Sequence, residues 1–257
     1  MSLVKTDLRG GVMTITLADE EHRNALGRQL TAELVTALDV ADQDPEVRVV
    51  VLTNSGTVFC AGANLSERSA PDPSSTPVSA IDPRALFGRF RHSPKPYVGR
   101  IAGHCVAGGM GLAAALDISV AVDHAKFGFT EVRVGVAPAM ISVVCLPKLR
   151  LADAQAAFLR GNRFSADDAV RMGLINSAVP ADRLDAEIDA IVVDLLAGGP
   201  NAIAAAKQLI AVVPTMSEDA AFRWTADFSA SLFASDEARA GMSAYLEKRP
   251  APWIPLK

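Results

Sequence analysis

Two segments of the chain share one arrangement, in which an apolar run rich in β-branched residues leads through a glycine-containing turn into a helical stretch. The first segment is Val49–Leu65 (VVVLTNSGTVFCAGANL), and the second is Tyr97–Leu116 (YVGRIAGHCVAGGMGLAAAL). β-Branched residues favour strands, and a strand that is followed by a helix needs a crossover connection before the chain returns to the same sheet. The pattern therefore predicts an α/β fold with crossover connections.

Other apolar runs fit the same fold class. Strands are predicted at Val12–Leu17, Val47–Thr53, Tyr97–Ile101 and Ile118–Val122. Between the first two of these strands, five apolar residues recur at helical spacing: Leu26, Leu30, Leu34, Val35 and Leu38. The segment Ser69–Pro83 holds four prolines and four serines in 15 residues, so we expect a mobile surface loop there, of the kind that often forms a lid.

The pattern changes after Asn162. Ser165–Asp168 (SADD) resembles a capping box at the start of a helix, and Ile175–Val179 is a short predicted strand. From Asp182 onward the sequence is helical in pattern and rich in alanine. We therefore expect an α/β core over residues 1–196 and a C-terminal helical region over residues 197–257. Helices as apolar as these pack either on their own core or on another subunit.

Composition excludes several classes of protein. Half of the 257 residues are apolar and the net charge is −4, so the chain has material for a large core and lacks the basic surface of a nucleic-acid-binding protein. Three widely spaced cysteines argue against a disulfide framework and against a zinc site, and they suit the cytoplasm. The four histidines have no metal-ligand spacing. We expect no metal, no signal peptide and no segment that crosses a membrane.

The glycine-containing turns could bind an anion. Glycines there leave backbone N–H groups free, and a following helix adds the positive end of its dipole. Two such donors from separate turns can form an oxyanion hole, which stabilises negative charge on a carbonyl oxygen. Taken alone, however, a glycine turn more often serves only the packing of the chain.

A third segment, Lys126–Ala137 (KFGFTEVRVGVA), places Glu131 among apolar residues and glycines. Four neighbours are expected to solvate its carboxylate poorly: Phe127, Phe129, Val132 and Val134. Poor solvation raises the pKa of a carboxyl group, and a raised pKa suits a group that must both take and return a proton. The plainer interpretation is a solvated loop residue or a partner in an ion pair.

Seven pieces of the sequence together resemble one family. They are Asn24–Leu26 (NAL), Phe59–Leu65 (FCAGANL), Gly103–Leu112 (GHCVAGGMGL) followed by Asp117-Ile118, Lys126–Glu131 (KFGFTE), Gly135–Pro138 (GVAP), Arg171–Ile175 (RMGLI) and Tyr245–Arg249 (YLEKR). Their order and spacing resemble the crotonase, or enoyl-CoA hydratase/isomerase, superfamily over nearly the whole chain. The resemblance implies a core built as a spiral of ββα units and a C-terminal helical region that forms trimers, often paired into hexamers.

The resemblance also assigns roles to residues. The backbone N–H groups of Ala63 and Gly108 would form the oxyanion hole for the thioester oxygen of an acyl-CoA, and Glu131 would be the catalytic acid and base. Gly111 stands where family hydratases have a first glutamate, and a glycine there would leave space that a bulkier substrate could fill. With Gly111, the substrate pocket would include Asn64 and Pro138. Coenzyme A would contact Arg23, Ala25, Tyr245 and Lys248, the last two commonly from a neighbouring subunit.

The missing glutamate leaves the reaction open between two possibilities. One glutamate can hydrate the 2,3-double bond of an enoyl-CoA, or it can move a proton between C2 and C4 in an isomerisation. The stretch from Gly108 to Ser142 looks like the single-glutamate branch that includes methylglutaconyl-CoA hydratases. We therefore favour a lyase of fatty acid metabolism and β-oxidation, an enoyl-CoA hydratase. It would need no cofactor, because coenzyme A is part of the substrate.

Two interpretations from other classes stay open at this point. Gly109–Ala114 (GMGLAA) satisfies the G-x-G-x-x-A pattern, and Glu131 follows 22 residues after Gly109, which would suit a dinucleotide-binding oxidoreductase. The chain could also be a protein of the same fold that binds acyl-CoA without turning it over. Binding of NAD(H) would identify the first class, and an absence of turnover with enoyl-CoA substrates would identify the second.

Overall fold

The computed structural model describes residues 2–69, 82 and 84–254 of the chain. The predicted loop Ser69–Pro83 therefore lies outside the described residues, apart from its positions 69 and 82. The strands are β1 (Val4–Arg9), β2 (Val12–Leu17), β3 (Val49–Asn54), β4 (Val58–Cys60), β5 (Tyr97–Ile101), β6 (His104–Val106), β7 (Ile118–Val122), β8 (Lys126–Gly128), β9 (Phe164–Ser165) and β10 (Ser177–Val179).

The helices alternate with these strands in the first two thirds of the chain and follow one another in the last third. They are α1 (Arg28–Gln43), α2 (Leu65–Ser69), α3 (Arg89–His92), α4 (Gly108–Ala115), α5 (Ala139–Cys145), α6 (Leu151–Arg160), α7 (Ala166–Arg171), α8 (Leu184–Ala197), α9 (Pro200–Val212), α10 (Glu218–Phe233) and α11 (Asp236–Leu246). A π-helical turn, Arg84–Gly88, precedes α3, and short 3₁₀ turns begin at residues 131, 146, 181 and 213.

Two sheets form the core. The larger sheet has the strand order β1-β2-β3-β5-β7-β10, and every pair in it except β1 with β2 is parallel. All six residues of β3 are buried, and its apolar run Val49–Leu52 is typical of a strand inside a parallel sheet. The smaller sheet has the order β4-β6-β8-β9, with β4, β6 and β8 parallel to one another. The predicted α/β class is confirmed.

The chain winds through the two sheets in repeated units. Strands β3, β5 and β7 of the larger sheet are each followed by a strand of the smaller sheet, β4, β6 or β8, and then by a helical turn or helix. The prediction that a glycine turn leads directly from strand to helix is therefore wrong, because each turn region contains a second strand of three residues. Such short strands are stabilised by pairing with one another across the sheet, which a local pattern does not reveal.

Several predicted elements have the bounds that the pattern gave them. Strands β2, β5 and β7 begin and end at the predicted residues, and β3 is displaced by one or two residues from Val47–Thr53. Leu30, Leu34 and Leu38 form the buried face of α1. Helix α7 has the predicted capping box, in which the Ser165 hydroxyl accepts a hydrogen bond from the Asp168 N–H and the Asp168 carboxylate accepts one from the Ser165 N–H.

A buried lysine joins α9 to the core. The Lys207 Nζ donates to the Asp117 carboxylate at 2.6 Å, to the Lys95 carbonyl at 2.7 Å and to the Phe90 carbonyl at 2.9 Å. Helix α10, which follows, has no buried residue within the chain. The C-terminal region is therefore helical, as predicted, while its boundary at residues 196 and 197 stays a prediction.

Hydrogen bonds of Arg48 and Trp253 hold the end of the described chain. Arg48, directly before β3, donates through Nη1 to the Trp253 carbonyl and through Nη2 to the Gly198 carbonyl, both at 2.9 Å. The Trp253 indole N–H donates to the carbonyl of Ala197 at the end of α8. The last described residues are thus fixed at the end of the larger sheet where β3 begins.

No single helix in the described ranges is long and apolar enough to cross a bilayer. The consecutive segments Ala181–Ala197 and Pro200–Thr215 meet the length and composition criteria only when taken together, and they are bent by 105° relative to each other.

Candidate active site

Three turns meet at one edge of the smaller sheet. Its parallel strands β4, β6 and β8 are neighbours, so their carboxyl ends lie side by side. Ala63 follows β4, Gly108 follows β6 and Glu131 follows β8. Ligands commonly bind where loops leave the carboxyl ends of parallel strands. The fold therefore brings together the three residues for which the sequence predicts an oxyanion hole and an acid–base group.

The turns that carry Ala63 and Gly108 are in direct contact. A methyl group built on Gly62 would lie 2.8 Å from the Gly108 nitrogen and 2.6 Å from the Ala107 Cβ, so only glycine fits at position 62. The Leu26 N–H donates to the Gly62 carbonyl at 2.6 Å, which fixes the first turn. Within the described part of the chain, neither the Ala63 N–H nor the Gly108 N–H donates to a protein acceptor. Two backbone donors are therefore free at this edge.

The residue before Gly108 has an unusual backbone. Ala107 has φ 49° and ψ −123°, a positive φ that L-residues other than asparagine and aspartate adopt rarely. Its own N–H donates to the Gly128 carbonyl at 2.9 Å, which holds the turn against the end of β8. Gly108 is the first residue of α4, so its N–H has no intrahelical partner and lies at the positive end of the helix dipole.

The Glu131 carboxyl group is partly withdrawn from water. Glu131 opens the 3₁₀ turn Glu131–Val134, and its Oε2 is buried without a hydrogen-bond partner among the residues that the structure describes. Burial raises the pKa of this carboxyl group, and a hydrogen bond from its own backbone N–H opposes the shift. A carboxylate that is desolvated and lacks an ion-pair partner can accept a proton at a higher pH than an ordinary glutamate.

The shielding of Glu131 differs in part from the prediction. Phe127 and Phe129 are fully buried, as expected. Val132 and Val134 are 38% and 56% exposed, so the expectation that these valines also desolvate the carboxylate is wrong. The 3₁₀ turn directs them outward. The Glu131 carboxylate also acts on the Cys145 thiol: burial is the main cause that raises the pKa of this thiol to about 12, Lys148 opposes the shift, and the charge of Glu131 contributes to it.

The space beside Gly111 is filled. A methyl group built on Gly111 would overlap Cγ2 of Ile141, and it would lie 2.9 Å from Cβ of Ile141 and from Cε1 of Phe87. Ile141 belongs to α5 and Phe87 to the π-helical turn before α3, and both are buried. The expectation of an open space that a bulkier substrate could fill is therefore wrong. Neither Ile141, Phe87 nor Cys145 was a predicted site residue, because the sequence does not show what packs on Gly111.

The other two predicted pocket residues lie on the flanks of these turns. The Asn64 side-chain oxygen accepts hydrogen bonds from the N–H groups of Ser66 and Glu67, so this side chain caps the start of α2. Pro138 is buried immediately before α5, and its carbonyl accepts from the Ser142 N–H. Their roles toward a substrate stay predictions.

The four predicted coenzyme A contacts fall into two groups. Arg23 and Ala25 lie beside the Ala63 turn, since the Ala61 N–H donates to the Arg23 carbonyl at 3.1 Å. Tyr245 is 84% exposed near the end of α11, and Lys248 follows it with a φ of 55°. Across the described residues, no hydrogen bond, ion pair or ring contact joins Tyr245 or Lys248 to the three turns. The chain therefore brings only the first group to the site.

The dinucleotide alternative does not fit the structure. Gly109 and Gly111 lie inside α4 rather than in a turn before it, and both are buried. A methyl group on Gly109 would lie 2.9 Å from Cβ of Cys60, so this glycine serves helix packing and not the approach of a phosphate. In the described ranges, no group of three or more His, Cys, Asp or Glu side chains is arranged to hold a metal ion.

Comparisons with known proteins agree with this geometry. A family model described as enoyl-CoA hydratase/isomerase matches residues 7–255. The chain belongs to the enoyl-CoA hydratase/isomerase family. An enoyl-CoA hydratase of Mycobacterium tuberculosis is 32% identical over 248 residues, which cover 94% of this chain and 92% of the relative. A mevalonyl-coenzyme A hydratase of Aspergillus fumigatus is 31% identical over 260 residues, which cover 96% and 92% of the two chains.

Solved structures of the enoyl-CoA hydratase/isomerase family share the fold. An enoyl-CoA hydratase of Mycobacterium smegmatis superposes with a TM-score of 0.88 at 30% identity, covering 98% of both chains. One of Bacillus anthracis superposes with a TM-score of 0.90 at 26% identity, covering 99% of this chain and all of the other. The predicted crotonase superfamily, its fold and the prediction of an enzyme are confirmed.

Proposed function

We propose that this protein is an enoyl-CoA hydratase that adds water across the 2,3-double bond of an enoyl-CoA thioester. One observation carries the proposal: a buried carboxylate oxygen of Glu131 that has no hydrogen-bond partner among the described residues follows the same sheet edge as the Ala63 and Gly108 N–H groups, which likewise donate to no described acceptor. An acid–base group beside two convergent donors is what addition to an activated thioester requires.

In this mechanism the thioester oxygen accepts hydrogen bonds from the Ala63 and Gly108 N–H groups. The Glu131 carboxylate takes a proton from a water molecule while the water oxygen forms a bond to C3. The electron pair of the double bond moves toward the thioester, and the two N–H groups stabilise the negative charge that develops on its oxygen. Glu131 then returns the proton to C2, which leaves a 3-hydroxyacyl-CoA and restores the carboxylate.

Isomerisation is the second candidate. The absence of a carboxylate at Gly111 favours it, because a single group that moves protons between C2 and C4 needs no bound water. We rank hydration above isomerisation because the sequence from Gly108 to Ser142 looks like the branch that includes methylglutaconyl-CoA hydratases. On the same ground we propose a branched acyl group as the natural substrate.

The proposal extends to coenzyme A and to assembly. Arg23 and Ala25 lie beside the Ala63 turn, whereas no hydrogen bond among the described residues joins Tyr245 or Lys248 to that turn. We therefore propose that a neighbouring subunit of a trimer, or of a pair of trimers, supplies the last two. The exposure of α10 supports this assembly: Phe222 and Phe233 are 70% and 67% exposed, and solvent-exposed apolar surface of this extent is rare on monomers.

A panel of straight and branched enoyl-CoA thioesters, assayed for both hydration and isomerisation, tests the reaction. In Glu131→Gln, which keeps the shape and removes the basicity, kcat should fall by roughly 10²–10⁴. The matched control Glu46→Gln, at an exposed position before β3, should retain wild-type activity. Activity of Glu131→Gln within a few-fold of wild type would contradict the mechanism. Isomerisation without hydration would select the second candidate, and tight binding without either would identify a non-catalytic protein.

A further inference from the structure

The contact between α4 and α5 lies next to the proposed reacting groups. Gly108 and Gly111 are three residues apart on α4, so they share one face and lie about 4.5 Å apart along the helix axis. The Gly108 N–H lies at the N-terminal end of α4, where the thioester oxygen would bind. Position 111 is therefore one helical turn from the donor that binds the thioester in the proposed function.

Helix α5 covers that surface with two residues one turn apart. Ile141 rests on Gly111, and the Cys145 thiol donates to the Met110 carbonyl, with 3.7 Å between sulfur and oxygen. The Glu131 carboxylate is near enough to Cys145 to raise the pKa of its thiol. Cys145 and Ile141 thus both contact α4, at Met110 and Gly111, while Glu131 lies outside the two helices in the 3₁₀ turn that precedes α5.

Ile141 leaves no room for any side chain at position 111. It is 3% exposed, its Cγ2 would overlap the first carbon of such a side chain, and its Cβ would lie only 2.9 Å from that carbon. The backbone of α5 fixes the Cβ of Ile141, so a rotation of the side chain does not remove the second conflict. Cε1 of Phe87 would also lie only 2.9 Å from the same carbon.

We propose that Ile141 is a specificity-determining residue, which keeps the wall beside the reacting carbons apolar and excludes any second acid–base or water-holding side chain at position 111. The proposal rests on the proposed function of Glu131. It implies that Glu131 acts alone because of the packing of Ile141, and that removal of the Ile141 side chain makes a second carboxylate at position 111 possible.

The test compares Gly111→Glu, Ile141→Ala and their combination with the control Gly111→Glu/Val143→Ala. Val143 is on α5 and 75% exposed, so its truncation does not open the contact. Gly111→Glu should lower the midpoint of thermal unfolding by roughly 2–12 °C, the effect of an overpacked core. The double variant Gly111→Glu/Ile141→Ala should have the same midpoint as Ile141→Ala alone. The control Gly111→Glu/Val143→Ala should keep the lowered midpoint of Gly111→Glu. If Gly111→Glu does not fold, the same comparison is made with Gly111→Ala.

Hydration rates of the variants distinguish the proposed role of Ile141 from a purely structural one. In the wild-type background Glu131→Gln should reduce hydration of crotonyl-CoA by 10²–10⁴-fold. In the Gly111→Glu/Ile141→Ala background the new carboxylate shares the proton transfer, so the same substitution should cost less than about tenfold. An equal loss in both backgrounds would overturn the proposal, as would a Gly111→Glu protein with wild-type stability. If the wild-type protein hydrates no enoyl-CoA at all, the proposed function fails, while the unfolding comparison still decides whether Ile141 excludes a side chain at position 111.

Discussion

Replacement of Lys207 by methionine is expected to loosen the attachment of the C-terminal helices to the core. The lysine side chain is 9% exposed, and its three acceptors include the Asp117 carboxylate, which the Tyr97 N–H also contacts. Burial lowers the pKa of Lys207 and raises that of Asp117. Desolvation therefore opposes the charged form of both groups, and the ion pair exists in spite of this cost in free energy. Methionine fills the volume and provides no donor. It leaves a buried carboxylate and two carbonyl oxygens with fewer partners.

The size of the effect follows from that geometry. Loss of one partner of a buried ion pair costs about 3–5 kcal/mol, and the lower end applies because the Asp117 side chain is 25% exposed. A loss of about 3 kcal/mol lowers the midpoint of thermal unfolding by roughly 6–12 °C for a chain of this size. Circular dichroism at a fixed protein concentration measures it.

Two further variants make the experiment specific. Lys5→Met, at an exposed position on β1, should change the midpoint little. Lys207→Met/Asp117→Asn removes the uncompensated charge, so it should be more stable than Lys207→Met alone. A midpoint of Lys207→Met within 2 °C of wild type would refute the assigned role of the lysine. A double variant no more stable than the single variant would show that the buried carboxylate is not the cause.

Three other measurements test the site. Burial raises the pKa of Glu131, and the proposed mechanism needs its carboxylate form. On acidification kcat/KM should therefore fall at a pH above about 4.3, the ordinary pKa of glutamate. A fall centred at that ordinary value would contradict the desolvation of Glu131. Ala63→Pro deletes one oxyanion donor and should reduce kcat by roughly 10²–10³ in a protein with wild-type circular dichroism, whereas Ala63→Ser should stay active. A protein ending at Ser235 should form smaller assemblies in light scattering and bind acyl-CoA more weakly, and unchanged mass and affinity would refute the shared site.

The sequence predicts the elements whose signal is local. Strands β2, β5 and β7 carry enough β-branched residues to define their own ends, and the Ser165 capping box marks the start of α7. Strands β4, β6 and β8 have only three residues each, and they pair with strands more than 20 residues away. No local pattern distinguishes them from a turn, so the smaller sheet, on which the site is built, could not be predicted.

The same limit applies to the site. The order of motifs predicts that Ala63, Gly108 and Glu131 act together, and the smaller sheet brings their turns to one edge. The packing around them depends on residues far along the chain: Ile141 covers Gly111 from 30 positions away. The outward direction of Val132 depends on the 3₁₀ turn, whose short length leaves no periodic pattern.

The arrangement around Arg48 imposes a delay on folding during synthesis. Its guanidinium binds carbonyl groups that lie 150 and 205 residues later in the chain, at Gly198 and Trp253. A ribosome adds about 5–20 residues per second, so the second carbonyl emerges roughly 10–40 s after the arginine. Throughout that interval the Arg48 guanidinium, directly before β3, lacks the Trp253 acceptor that it has in the folded protein. This part of the fold is therefore completed late in synthesis, long after most of both sheets has been made.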